Sequence, residues 1–368
     1  MTSMQLRRDD VIVGVDTHKE QHVAVLLDGL GGKLDVLFLP ATNTGYGELL
    51  TFCQQHVGPA GRLLTFGVEG TGSYGVGLAR FLRRSGCKVR EVHRPPRKGE
   101  RRLSGKSDTI DAEHAARQVL AGLSTAVPKT ADGSIESLRL LKIARDTAVK
   151  ARSTAMITLK ATLVTADDEL RATLEPLTDY KLIEACAAFE SSASVAAPDA
   201  AMRHVLGSLA RRWLLLHDEV KIHSKHLKTQ TKAIAPRLVE AVGVGLDIAA
   251  EMLVTAGDNT DRIRSEAALA KMCGACPIPA GSGKTNGRHR LNRGGNRQAN
   301  AALYRAIIVR MRWHQPTIDY VQRRTAEGLS KREIIRCLKR YLAREIYHLL
   351  PPPAASETTD AKAVEQAA

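Results

Sequence analysis

Aromatic side chains make up only 4% of this 368-residue chain, and long apolar runs are missing. So few aromatics argue against a binding mode based on stacking bases on an aromatic platform. A helix that crosses a bilayer needs about 18 or more consecutive apolar residues, and no such run occurs. The first ten residues contain no apolar signal region. We therefore expect no contact with membranes and a cytoplasmic location.

Cysteine is also sparse. The six cysteines are scattered along a long chain, which argues against a disulfide framework. Cys273 and Cys276 have the spacing of half a zinc site, but no second pair follows and His289 alone cannot complete four ligands. We predict that this pair belongs to the core.

Acidic residues are absent from the whole span 267–318, which carries nine Lys or Arg. The chain has a net charge of +15, and a basic excess of this size predicts a polyanionic partner. The length and the 43% hydrophobic content suit a globular protein of two or three domains with a substantial core.

Four carboxylates stand out against this basic background. Asp16 follows the apolar run 11–15, and Glu69 follows the run 63–68. Asp108 and Asp111 are three apart in a predicted helix, so they share one face of it. Carboxylates from two strand ends and a helix can converge on a pair of Mg²⁺ ions, for which Mn²⁺ can substitute. The pattern predicts cutting or joining of nucleic acid.

The elements around these carboxylates predict a mixed α/β domain followed by helices. Strands are predicted at 11–15, 22–27, 33–39, 63–68 and 88–92, with helices at 45–56 and 75–85 covering the sheet. Residues 135–174 read as one helix of roughly 60 Å. An irregular connector at 176–198 leads to a second long helix at 199–234. Residues 236–250 read as a helix, a hairpin containing Gly243 and Gly245, and another helix.

Three segments are candidates for phosphate contacts. The hairpin at Gly243 and Gly245 would point backbone N–H groups at a phosphate. The basic stretch 94–106 lies directly before Asp108, so contact with phosphate is favoured over a merely solvated loop. Its candidate residues are Arg97, Lys98, Arg101, Arg102 and Lys106. In the acid-free span the candidates are Lys284, Arg288, Arg290, Arg293 and Arg297.

Ser282 is the only serine between Ser265 and Ser330, and glycines flank it. Glycines let the backbone approach a phosphate closely, and a serine placed there can attack phosphorus to form a phosphoserine link. The alternative is a phosphate-binding loop in which Ser282 only donates a hydrogen bond. A Walker nucleotide loop is excluded, because Ile278 stands where its first glycine is required.

Taken together, these motifs resemble those of the insertion-sequence one-ten family of DEDD transposases, whose members include bridge-RNA-guided recombinases. The resemblance runs from about residue 11 to about residue 308. It rests on residues 14–19 (GVDTHK), 68–72 (VEGTG), 106–112 (KSDTIDA), the Gly-x-Gly hairpin, and Ser282-Gly283 followed by 293–297 (RGGNR). After Arg297 the sequence Gln298-Ala299-Asn300 departs from the family pattern, so the resemblance implies no DNA contact at these positions.

The resemblance implies a RuvC-like domain of RNase-H fold at 1–130, a coiled-coil linker at 131–234 and a mainly helical, serine-bearing domain with a helix-hairpin-helix-like element at 235–350. The remainder, 351–368, is expected to be a disordered tail. It further implies that Asp16, Glu69, Asp108 and Asp111 hold Mg²⁺ and that Ser282 is the nucleophile. The implied partners are donor and target DNA, a structured guide RNA, and further copies of the chain in a dimer or tetramer with composite sites. The implied setting is the nucleoid of a bacterium or archaeon.

Three other functions remain open from the residues. A RuvC-like junction resolvase would cut with water and ignore Ser282. An actin-like ATPase or sugar kinase would use the same type of sheet, but has no use for the acid-free basic span. A non-catalytic nucleic-acid-binding protein could retain the fold.

Overall fold

The computed structural model describes residues 6–92, 107–190, 195–281, 283, 289–292 and 294–352. These residues form two compact units. The first contains the described residues up to Gly133 together with Ala256–Arg264 and Pro352, and the second contains those of Ser134–Thr255 and Ser265–Pro351. In the part of the chain that is described, no helix is both long and apolar enough to cross a membrane.

The first unit is built on a five-stranded sheet. Its strands are β1 (Val11–Thr17), β2 (Gln21–Asp28), β3 (Lys33–Pro40), β4 (Leu63–Glu69) and β5 (Val89–Val92). Its α-helices are α1 (Asn43–Gln55), α2 (Val76–Arg84) and α3 (Asp108–Leu120). The strand order is β3-β2-β1-β4-β5, in which β1 to β3 are antiparallel and β4 and β5 run parallel to β1. The mixed α/β layout predicted from the sequence is confirmed.

Strand β1 lies in the middle of the sheet because its sequence suits burial on both faces. All seven of its residues are buried, and its β-branched side chains fit a pleated surface covered on both sides. Val13 and Val15 pack into the core beneath α1 and α2, whereas Ile12 packs on the opposite face against Ala112 and Ala116 of α3. The end of β1 is therefore held firmly from both sides.

Helix α3 crosses the sheet over two glycines that are paired on the neighbouring strands β1 and β4. Gly14 pairs with Gly67 across these strands. A Cβ at Gly14 would lie 2.1 Å from the Ala112 oxygen, and one at Gly67 would lie 2.9 Å from the Ala115 oxygen. Only glycine at these positions leaves room for the helix backbone, so the pair sets how closely α3 approaches β1.

The second unit is mainly helical. Its helices are α4 (Ser134–Leu163), α5 (Asp168–Leu174), α6 (Asp179–Ala187), α7 (Pro198–Ile234), α8 (Pro236–Glu240), α9 (Leu246–Ala256), α10 (Glu266–Met272), α11 (Arg297–Trp313), α12 (Gln315–Ala326) and α13 (Lys331–Leu349). A short hairpin is formed by β6 (Pro277–Pro279) and β7 (His289–Leu291). Helices α4 and α7 pack extensively against each other. Arg152 of α4 lies over the Trp213 ring of α7, and its guanidinium donates a hydrogen bond of 3.0 Å to His217 Nδ1.

The prediction of a single helix over 135–174 is wrong. Helix α4 contains 30 residues, about 45 Å at 1.5 Å per residue, and the chain turns at 164–167 before α5 begins. Asp167 caps α5 by accepting the Leu170 N–H at 2.8 Å. The turn lets Leu163 and Leu170 join a buried cluster with Leu206 of α7. Burial of these leucines outweighs continued helix propensity.

The connector predicted at 176–198 is also not wholly irregular, because it contains α6. Leu182, Ile183 and Cys186 of that helix are buried in the same cluster. Leu182, Ile183 and Cys186 have the spacing of one helix face, and Thr178 stands at the N-cap position, so the signal is present but confined to a short segment of Ala-rich sequence.

Arg310 of α11 organises the C-terminal part of the second unit. Its guanidinium makes two hydrogen bonds of 2.6 Å to Glu345 of α13 and one of 2.6 Å to the Val242 carbonyl. The last of these ties the turn between α8 and α9 to α11. Arg310 is buried, so the paired bonds offset the cost of removing its charge from water.

Candidate metal centre

Two of the four predicted carboxylates lie at neighbouring strand ends. Asp16 is next to last in β1, and Glu69 is the last residue of β4, which runs parallel to β1. The Thr17 hydroxyl donates a 3.0 Å hydrogen bond to the Glu69 carbonyl and joins the two ends. Asp16 and Glu69 are both buried. The edge formed by parallel strand ends is a common place for functional groups in α/β domains.

Asp108 and Asp111 lie in the first turn of α3. Carboxylates are favoured there, because the backbone N–H groups at a helix N-terminus carry partial positive charge. Glu113, two residues further on, does not join them. It accepts a 2.7 Å hydrogen bond from Arg117 and pairs with Lys33 at 3.4 Å.

His18 brings the strand end and the helix together. Its Nε2 atom lies 3.2 Å from Asp16 Oδ2 and 3.4 Å from Asp108 Oδ1. One donor atom from each of these three side chains lies within 4.8 Å of the others, an arrangement that can hold a metal ion. Carboxylate oxygen and imidazole nitrogen are both ordinary ligands of divalent cations.

No role for His18 was predicted from the sequence. The only signal was its place in the GVDTHK motif, two residues after Asp16. Residues two apart in an extended chain point to the same side, and this places His18 beside Asp16. Its closeness to Asp108, by contrast, depends on how α3 crosses β1.

The electrostatics of the centre favour a bound cation. Burial raises the pKa of Asp16 above its ordinary value, His18 acts in the opposite direction, and Asp111 and Asp108 raise the pKa further. Neighbouring carboxylates repel when ionised, and a divalent ion between them would remove that repulsion. The donor set thus fits a divalent metal.

His22 supports His18 from behind. The His18 backbone N–H donates to His22 Nδ1 at 3.3 Å, and the buried His22 ring stacks on Tyr46 with their centroids 5.8 Å apart. Burial lowers the pKa of His22, which keeps the ring neutral and able to accept this hydrogen bond.

Of the predicted phosphate contacts, four residues lie in the described part of the chain. Gly243 and Gly245 belong to the turn between α8 and α9, and Arg290 and Arg297 are exposed at β7 and at the start of α11. The remaining predicted residues lie outside the described residues: Ser282, Arg97, Lys98, Arg101, Arg102, Lys106, Lys284, Arg288 and Arg293. The predicted tail falls outside them as well from residue 353 onward.

Residues in and near the RGGNR motif make contacts that stabilise the fold of the second unit. A Cβ at Gly295 would lie 2.1 Å from the Gly274 nitrogen, so two backbone segments cross there. Asn296 caps α11 by accepting the Gln298 N–H at 2.8 Å. Asn300 donates to the Cys273 carbonyl at 2.8 Å. The departure from the family pattern at 298–300 thus includes a residue that holds the fold of this unit.

All six cysteines are free thiols. Cys273 is fully buried, and burial raises the pKa of its thiol to about 12. Among the described residues the one group that can hold a metal is Asp16, His18 and Asp108. The prediction that Cys273 belongs to the core is confirmed, and Cys276 is partly buried.

Two models of transposase families match this chain. One, named for the DEDD transposases of IS110 and described as "Transposase", matches residues 13–166 and so includes all four carboxylates. The other, described as "Transposase IS116/IS110/IS902 family", matches residues 235–322, which include Ser282. The two segments do not overlap and together cover more than half of the chain.

A protein of Streptomyces coelicolor, the "Insertion element IS110 uncharacterized 43.6 kDa protein", is similar to this chain. The two are 28% identical over 166 residues, which is 45% of this chain and 41% of the relative. The matched segment thus spans less than half of the relative's length. From the two family models and this relative, the chain belongs to the IS110 family of transposases.

Proposed function

We propose that this chain is a DNA transposase that cuts and rejoins DNA at a divalent-metal centre formed by Asp16, Glu69, Asp108 and Asp111. The observation that carries the proposal is the approach of Asp16 on β1 to Asp108 on α3, bridged by His18 at 3.2 and 3.4 Å. Membership of a DEDD transposase family supports the same assignment.

The order of the sheet supports a RuvC-like domain of RNase-H fold for the first unit. Three antiparallel strands are followed by two strands parallel to β1, and α3 lies over β1, β2 and β4. For the second unit, the packing of α4 on α7 supports a coiled-coil-like linker. The succession of α8, a turn with Gly243 at φ 75°, and α9 supports a helix-hairpin-helix-like element. Domain boundaries near residues 130 and 235 remain part of the proposal.

The metal ion proposed here is Mg²⁺, with two ions per centre and Mn²⁺ able to substitute. When bound, such ions would stabilise charge that develops on the phosphate and lower the pKa of an attacking hydroxyl. Residues of the chain hold the carboxylates in position. Thr17 fixes the ends of β1 and β4 to each other, and α3 presents Asp108 and Asp111 from its first turn.

We further propose that Ser282 is the nucleophile. Its Oγ would form a bond to a DNA phosphorus while the bond from that phosphorus to a deoxyribose oxygen breaks, and the sugar leaves as a free hydroxyl. The phosphoserine link keeps the phosphodiester energy, so attack by another DNA hydroxyl can release the serine and join the strands. Support comes from the glycines beside Ser282 and from the basic, acid-free span 267–318.

The proposed partners follow from charge and family. Donor and target DNA are the substrates, and the net charge of +15 favours binding to their phosphates. The exposed Arg290 and Arg297 are candidate contacts. A structured guide RNA and assembly into a dimer or tetramer are proposed from the resemblance. Action on DNA inside the cell is consistent with the expected cytoplasmic setting.

A test of the proposal uses the full chain with DNA and non-coding RNA taken from the flanks of its coding sequence. Wild type with Mg²⁺ should form a protein–DNA adduct that survives denaturing electrophoresis. Asp16→Asn and Ser282→Ala should form none, and Glu113→Gln, on the same helix as Asp108 but paired away from the centre, should retain it. Cleavage without an adduct by Ser282→Ala would instead identify a resolvase that uses water.

A further inference from the structure

We propose that His18 is a direct metal ligand through Nε2, and that this nitrogen makes the ion position between Asp16 and Asp108 favour first-row transition ions such as Mn²⁺ more than carboxylates alone would, while Mg²⁺ can still occupy it. The inference deepens the proposed function and rests on it. The predicted tetrad consists of carboxylates only and does not include this residue.

The spacing of the donor atoms carries the first step. Two ligands about 2.1 Å from one ion, at angles between roughly 90° and 109°, lie about 3.0–3.4 Å apart. The distances from His18 Nε2 to the Asp16 and Asp108 oxygens are 3.2 and 3.4 Å. These are the lengths expected for edges of one coordination shell.

The supports of the three side chains carry the second step. Asp16 belongs to a strand that is buried along its whole length, and Asp108 belongs to a helix fixed on that strand by the contact at Gly14. The backbone of His18 is held by its hydrogen bond to the buried His22. Ligands that are positioned before an ion arrives lose less conformational entropy when it binds.

The chemistry of the nitrogen carries the third step. Mg²⁺ prefers oxygen ligands and gives up its water reluctantly, whereas imidazole is an ordinary ligand of first-row transition ions. A position with one imidazole and two carboxylates should therefore discriminate between Mg²⁺ and Mn²⁺. A position with oxygen ligands only would lack this source of discrimination between the two ions.

The test uses Mn²⁺ as the probe and does not depend on catalysis. Pulsed electron paramagnetic resonance of Mn²⁺ bound to the full chain should show a hyperfine coupling to a directly bound nitrogen. When the histidines are labelled with ¹⁵N, a ¹⁵N coupling should replace the ¹⁴N coupling. His18→Ala should abolish it and raise the Mn²⁺ dissociation constant at least about tenfold, while the Mg²⁺ dissociation constant changes less than about threefold.

Two variants keep the test decisive. His18→Gln can place a carbonyl oxygen near the position of His18 Nε2, so Mn²⁺ should stay bound while the nitrogen coupling disappears. His56→Ala is the matched control, because His56 also pairs with an aspartate in the first unit, at 3.2 Å from Asp35, and should keep the coupling. His18 is 48% exposed, so its replacement should leave thermal unfolding unchanged.

The outcomes separate the two proposals. Mn²⁺ that binds wild type without nitrogen coupling, or coupling that persists in His18→Ala, overturns the role of His18 and leaves the carboxylate centre intact. Failure of both Mn²⁺ and Mg²⁺ to bind wild type overturns both proposals.

Discussion

At Gly14, the absence of a side chain lets α3 touch the central strand of the sheet. A Cβ there would lie 2.1 Å from the Ala112 oxygen and 2.2 Å from the Ala116 nitrogen, both backbone atoms that cannot rotate away. We expect Gly14→Ala to lower the free energy of unfolding by about 1–3 kcal/mol, the usual cost of overpacking. It should also weaken Mn²⁺ binding, because α3 carries Asp108 and Asp111. Urea unfolding and Mn²⁺ titration measure the two effects.

Gly47→Ala is the control for this prediction. A Cβ at Gly47 would meet nothing within 4 Å, and the residue lies inside α1. Alanine there should raise the free energy of unfolding by about 0.5–1 kcal/mol through helix propensity and leave metal binding unchanged. Equal stability and metal affinity of Gly14→Ala and wild type would show that α3 can shift without disturbing the centre.

The positions of individual site residues can be predicted from the sequence where a short local rule applies. Asp16 and Glu69 each follow a β-branched run, and parallel strands end at the same edge of a sheet, so their neighbourhood could be predicted. Asp108 and Asp111 follow from helix periodicity. His18 could not be predicted as part of the centre, because its contact with Asp108 requires the close crossing of α3 over β1.

Among the helices and strands, the sheet was easier to predict than the long helices. Strands and helices have different hydrophobic periods, so the succession of strands β1 to β5 and of the helices between them along the chain could be predicted. Over 135–174 the composition favours helix throughout, so nothing in the local propensity separates α4 from α5. The turn is recognisable afterwards from the N-cap Asp167 and from leucines that pack on a helix distant in sequence.

The two glycines of the turn between α8 and α9 have different surroundings. Gly243 has φ 75°, and its Cβ would lie 2.9 Å from the Ala306 oxygen, whereas a Cβ at Gly245 would meet nothing within 4 Å. Gly243→Ala should therefore destabilise the fold by about 1–3 kcal/mol. Gly245→Ala should leave stability unchanged and lower DNA affinity, if its backbone approaches a phosphate as proposed. Chemical unfolding and DNA-binding isotherms distinguish the two residues.

The result that would contradict this assignment is specific to each variant. Unchanged stability of Gly243→Ala would mean that the turn is not fixed against α11. Unchanged DNA affinity of Gly245→Ala would remove this turn from the DNA contacts, while the metal centre would be unaffected.

The ion pair between α11 and α13 predicts how stability depends on pH. Hydrogen bonds from Arg310 lower the pKa of Glu345 below its ordinary value. Because the folded pKa is depressed, the stabilisation is complete above the unfolded pKa of about 4.3. It is lost as pH falls through the folded value. Glu345→Gln should be less stable than wild type near pH 7. This difference in the free energy of unfolding should shrink towards zero as pH falls below about 4.3 and through the folded pKa of Glu345.

Solvent screening limits the size of this effect. Glu345 is 42% exposed, so the loss near pH 7 should be on the order of 1 kcal/mol, less than for a fully buried pair. Thermal unfolding from pH 7 to pH 3 measures it. The control Glu175→Gln removes an exposed pair with Arg171 on the same unit and should change stability little. A stability difference for Glu345→Gln that does not change with pH would contradict the ion-pair explanation.

The proposed catalytic carboxylates and the basic, acid-free span lie in different parts of the chain. The four carboxylates precede residue 112, whereas Ser282 lies in the acid-free span 267–318. A serine hydroxyl is a weak nucleophile at its free pKa and needs a metal or a base beside it. We propose that it finds the metal centre of another protomer, as the resemblance to the transposase family implies.

This composite arrangement predicts complementation between inactive variants. Asp16→Asn and Ser282→Ala should each be inactive alone, and their mixture should recover part of the wild-type activity. In a mixed dimer one centre would combine the intact carboxylates of one chain with the intact serine of the other. About half of the dimers formed at random are mixed, and each would hold one intact centre of two, so adduct formation should approach about a quarter of the wild-type amount. Mixing Asp16→Asn with Glu69→Gln should recover nothing, since both changes affect the same centre. Adduct formation by each single variant alone would contradict the role of the changed residue. An active wild type whose paired variants never complement would place serine and carboxylates of one centre on the same chain.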